Sequence, residues 1–167
     1  MKKTAIILGA AFASLWLGSA AAAVALPPVG PNPSGPKSTT SSGALQVFSS
    51  RVLETGDYNQ GAMDPAWLQH SGYYLYDLDG RLLRHVAENV GEYAQAPRHV
   101  ILPAGQYILE ARSTDYGWLK VPVTIKSGRN TNVHLDDQWM PPLNQANGKV
   151  VSLPNGKPVG WVVNAAT

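Results

Sequence analysis

Trp118-Leu119-Lys120-Val121-Pro122-Val123-Thr124-Ile125-Lys126 decides the fold. Leu119, Val121, Val123 and Ile125 fall on one face of an extended chain, two residues apart. That period is the mark of a strand with one buried face. The same pattern lies on both sides. Gln106 to Arg112 places Tyr107, Leu109 and Ala111 on one face, and Thr131, Val133 and Leu135 alternate with Asn132 and His134. Turns at Thr114-Asp115-Tyr116-Gly117 and Ser127-Gly128-Arg129-Asn130 separate the runs. Arg98 to Leu102 makes a further strand that stops at Pro103-Ala104-Gly105. Pro122 lacks a backbone donor, which predicts an edge strand or a bulge there.

Moving toward the N-terminus, Leu82 to Val86 and Tyr73 to Tyr76 read as strands flanking an Asp79-Gly80 hairpin turn. Residues 54–71 form a long irregular loop with one helical turn at Asp64 to Leu68, capped by Asp64 with Pro65 at its first position. Leu45 to Leu53 is the first strand. Toward the C-terminus, Trp139-Met140-Pro141-Pro142 is a connector, and 149–163 is a hairpin around Asn155-Gly156. A lone hairpin is marginal in water, so this one packs on the rest or pairs with another chain. Six or seven strands precede it and no helix of usual length occurs. The expected fold is all-β: an antiparallel two-sheet β-sandwich over residues 44–137, then a connector and C-terminal β-hairpin over 138–167.

The first 43 residues are different. Lys2 and Lys3 precede the apolar run Ala5 to Leu17, and Ala21-Ala22-Ala23 offers a cleavage site. Residues 1–23 therefore read as a bacterial secretory signal, and the expected location is periplasmic or secreted. The run is short for a bilayer span. With no Cys among 167 residues, lipoprotein acylation, disulfides and thiolate metal sites are excluded. Removing the leader leaves 11 basic against 11 acidic residues. No basic field then remains for nucleic acid. Residues 24–43 carry five Pro and few apolar side chains, and are expected to be a flexible linker.

Val100-Ile101-Leu102-Pro103-Ala104-Gly105-Gln106-Tyr107-Ile108-Leu109 resembles the Leu-Pro-x-Gly-x-Tyr turn of transthyretin-like, carboxypeptidase regulatory-like domains. Val121-Pro122-Val123-Thr124-Ile125 through Thr131 looks like the paired strands that close such a domain. The resemblance covers about residues 72–136. It implies a prealbumin-like sandwich, with an Ig-like one as the other option, and a non-catalytic accessory role.

The chemistry-bearing residues make no catalytic or cofactor motif. His70, His85, His99 and His134 lack metal-ligand spacing. Asp77-Leu78-Asp79-Gly80, aligned as a calcium loop, puts Leu75 and Val86 at ligand positions and fails. Asp115, Asp136 and Asp137 are candidates to meet at a loop end. No nucleophile-elbow motif occurs. No catalytic residue, metal ligand or cofactor is assigned. The aromatics stand out, and Tyr116, Trp118, Trp139 and Trp161 are the candidate ligand- or partner-binding residues, because exposed rings offer large contact area at low entropy cost. The expectation is an exported binding or scaffold module for an envelope protein or polysaccharide. The terminal hairpin around Trp161 is a candidate for strand addition to a neighbour. The alternative is a carbohydrate-binding module with Tyr116, Trp118 and Trp139 as its platform. A small hydrolase is a third reading without motif support.

Overall fold

A computed structural model describes residues 24–53, 68–89, 96–142 and 150–163. The proposed leader and the helical turn at 64–68 lie outside these residues, apart from Leu68. The described chain is all-β. Its strands are β1 (Val29–Gly30), β2 (Ser42–Phe48), β3 (Arg51–Leu53), β4 (Leu68–His70), β5 (Tyr73–Tyr76), β6 (Leu82–Val86), β7 (Val100–Pro103), β8 (Gly105–Ser113), β9 (Gly117–Ile125), β10 (Asn130–His134), β11 (Val150–Ser152) and β12 (Pro158–Val162). Seven form one sheet in the order β11-β12-β1-β9-β8-β5-β6, and β10-β2-β7 form a second. β3 and β4 make a separate two-stranded pair.

The alternation read in the sequence sets the core. Leu119, Val121, Val123 and Ile125 of β9 are buried, as are Leu109 and Ala111 of β8 and Tyr73 and Leu75 of β5. From the second sheet, Leu45, Val47, Val100 and Val133 meet them in one cluster. Each sheet thus covers the other's apolar face, the main stabilising term in such a fold. β8 and β9 pair along their whole length through the turn at Thr114–Gly117. The Pro103-Ala104-Gly105 turn carries the chain from one sheet to the other, since β7 pairs with β2 and β8 pairs with β5 and β9.

Four expectations need correcting. Residues 24–43 are no free linker. Val29 is fully buried, and β1 lies between β12, antiparallel at Val29↔Val162, and β9, parallel at Val29↔Val123. Beyond β1, the Asn32 N–H donates to the Asn130 carbonyl at 2.9 Å and the Ser38 N–H to the Gly128 carbonyl at 2.9 Å. The Arg129 guanidinium holds the Gly35 and Pro33 carbonyls, both at 3.2 Å. A proline-rich chain has carbonyls to spare, and here donors of the β9–β10 turn satisfy some of them.

The second correction is that the sheets are mixed rather than purely antiparallel, because β1–β9 and β2–β10 are parallel. The third is Pro122, which lies on an interior strand without a register shift. It is tolerated because β1 meets β9 only at Val123, so most of that side of β9 has no ladder to lose. The fourth is the first strand, which breaks at Ser49-Ser50. There β2 ends and β3 leaves to pair with β4. The terminal hairpin forms around Asn155-Gly156, and its partner is β1 of the same chain.

Candidate functional site

Side chains that alternate with the core of the large sheet form its outer face. On β5 these are Tyr74 and Tyr76, on β8 Ile108, Glu110 and Arg112, and on β9 Trp118, Lys120 and Pro122. Register fixes which of them meet. Glu110 lies opposite both Tyr74 and Lys120, Arg112 opposite Trp118, and Tyr74 opposite His85 of β6. The rings line up across four strands. Trp118 and Tyr74 have centroids 5.8 Å apart at 42°, and Tyr74 and His85 are 4.7 Å apart at 33°. Trp118 is 50% exposed. Beside the row, the Tyr76 hydroxyl donates to Glu110 Oε2 at 2.7 Å, and this bond holds the phenol proton and raises its pKa. Lys120 Nζ sits 5.6 Å over the Tyr76 ring. The result is a row of tilted aromatic rings with acidic and basic groups along it. Such a strip can stack on a planar or pyranose face while charged neighbours bind its polar substituents.

The four sequence candidates separate. Trp118 is on this strip. Tyr116, two residues earlier, is half-buried and packs against the core. Trp139 and Trp161 come together elsewhere, edge to face at 5.5 Å and 78°. Trp161 is only 4% exposed. Trp139 stacks on His134 at 4.7 Å, and His134 stacks on Phe48 at 4.3 Å. This column fastens the 136–142 connector to the small sheet. Burial, with a smaller push from nearby His70, lowers the His134 pKa to about 4, so its ring is neutral at pH 7. Trp139, Trp161, His134, Asn32 and Asn132 also line a small pocket of about 200 Å³.

Other candidates have structural partners. Asp115 and Asp137 both engage Lys157, at 2.8 and 2.5 Å, and Asp136 is buried away from them. Among the described residues no three His, Cys, Asp or Glu side chains are grouped to hold a metal ion. His70 is buried, with Nδ1 donating to the Ser49 carbonyl at 2.6 Å, while the Ser49 hydroxyl donates to the Ser71 carbonyl at 2.6 Å. Neither bond joins a hydroxyl to an imidazole as a nucleophile and its base require.

Tyr74 and His85 were not singled out in the sequence as site residues, although the strand period places Tyr74 opposite Leu75. What the period lacks is the pairing of β5 with β8 and β6, which no local signal encodes. Comparison with known proteins finds no matching family model, no matching curated protein and no matching solved structure.

Proposed function

We propose that this protein is an exported, non-catalytic β-sandwich module that binds a component of the bacterial envelope through the outer face of its large sheet. The observation that carries this reading is the half-exposed Trp118 set diagonally across the sheet from Tyr74, which is itself paired with His85. An exposed tryptophan beside cross-strand aromatics is a preformed contact surface with little entropy left to lose on binding. Export rests on the leader pattern of residues 1–23, and the accessory role on the likeness of residues 100–109 to transthyretin-like domains. Capture from envelope extract by the processed protein, compared with Trp118→Ala and Tyr74→Ala, tests it. Loss of capture in both, with unchanged thermal unfolding, supports the face. Unchanged capture by both variants refutes it.

A second reading is carbohydrate binding, favoured by the aromatic row itself, since rings flanked by Glu110, Arg112 and Lys120 suit a sugar. Retention on immobilised glycans, lost in Trp118→Ala, would select it.

A further inference from the structure

The aromatic strip does not end at His85. That residue also lines a cleft of about 520 Å³ between β6 and β7, the free edges of the large and the small sheet. Arg84, His85, Arg98 and His99 line it, and all four are exposed. No acidic side chain lines it among the described residues. Glu88 is buried at 8% exposure, and its Oε2 accepts the Arg98 backbone N–H at 2.6 Å. Glu88 therefore lies beneath the rim, and neither guanidinium is paired with a carboxylate in a salt bridge among the described residues. Arg84 on β6 and Arg98 just before β7 line the same cleft although 14 positions separate them in the chain.

We infer that the ligand is an acidic glycan, with sugar rings against Trp118 and Tyr74 and its carboxylate, phosphate or sulfate groups in the Arg84–Arg98 cleft. The inference rests on the binding-module reading above and names its ligand class. Charge selects the occupant. The processed chain is balanced overall, so two arginines lining one cleft, neither in a salt bridge among the described residues, are a local feature, and a guanidinium fork matches such oxyanions with paired donors. The cleft volume is in the range of small-ligand sites. Ile101, 64% exposed on the opposite rim, adds an apolar contact for the C–H face of a ring. Charges on edge strands also guard against sheet-to-sheet pairing. That role alone would not require arginines on both rims of one cleft, nor an aromatic row leading into it.

The test is native affinity electrophoresis of the processed protein in gels containing polygalacturonate, heparin, a phosphorylated mannan or neutral mannan. Retardation is expected by at least one acidic polymer, more strongly than by neutral mannan, and weakening with salt. Arg84→Ala/Arg98→Ala should weaken it about tenfold or more. Lys37→Ala/Arg81→Ala, which removes the same charge elsewhere, should leave it unchanged. Which acidic polymer retards the protein separates carboxylate, sulfate and phosphate recognition. Equal retardation by neutral mannan, or equal weakening by the two double variants, overturns the inference and leaves the binding-module reading intact. So does Trp118-dependent capture of an envelope protein with no glycan retardation. Failure of every glycan together with Trp118-independent capture overturns both.

Discussion

Replacing Val29 with Ala tests whether the proline-rich N-terminal stretch is part of the fold. Val29 is fully buried between β9 and β12. Removing two methyl groups costs about 1.6 kcal/mol in transfer at ~0.8 kcal/mol each. A residual cavity of roughly 40 Å³ adds about 1 kcal/mol. The expected loss is therefore about 2–3 kcal/mol. Gly160 supplies a second arm. A methyl there would lie 2.5 Å from Val29 Cγ1 and 2.8 Å from the Asn132 carbonyl oxygen, so Gly160→Ala should cost about 1–3 kcal/mol by overpacking. In the double variant the Val29 methyls are gone and only the Asn132 contact remains. The two losses should then sum to about 1 kcal/mol less than additivity predicts. Urea unfolding followed by the fluorescence of Trp139 and Trp161 reads all three, with an unchanged m-value as the check on two-state behaviour. A loss below about 0.5 kcal/mol for Val29→Ala, with strict additivity, would refute the reasoning and return residues 24–43 to the role of a tether.

Two further outcomes follow from buried groups and close approaches. The unfolded chain protonates His134 near 6.5, whereas the folded chain holds it neutral to about 4. The stability this contributes is complete above pH 6.5 and is lost as pH falls through about 4. His134→Phe should flatten the wild-type stability loss over that window by up to about 3 kcal/mol, read by urea unfolding at a series of pH values. Gly128 and Gly156 both have positive φ, at 65° and 84°. A Cβ at Gly156 meets nothing within 4 Å, so Gly156→Ala should cost about 1–2 kcal/mol. A Cβ at Gly128 would lie 1.9 Å from the Ser38 carbonyl oxygen. Gly128→Ala should therefore also release the 35–42 segment, seen as new amide exchange at Ser38 and as a loss beyond about 3 kcal/mol.

Apart from β1, the strands of the large sheet were legible because their signal is local. In 107–111 and 119–125 every second residue is apolar, and dipeptides such as Asp79-Gly80 and Asn155-Gly156 specify tight turns without reference to the rest of the chain. Composition alone excluded thiol chemistry. Val29 could not be found this way, because a two-residue strand in a proline-rich run has no period, and its burial depends on β9 and β12 arriving on either side of it. The candidate site shows the same division. Trp118 was visible as an aromatic beside a turn. Whether it met Tyr116, Tyr74 or Trp139 depended on the register of β5, β8 and β9, which is fixed by contacts distant in sequence.

The sequence by itself determined the class of the fold and the alternation that divides core from surface, since both follow from the two-residue repeat of an extended backbone. Only the tertiary structure decided that Trp161 is buried while Trp118 is exposed. Only it placed Arg84 and Arg98 across one cleft, set Val29–Gly30 into the large sheet and tied residues 32–38 to the β9–β10 turn. The reason is that strand order and sheet partnership arise from pairing between residues far apart in the chain, and each strand's pattern is compatible with several partners.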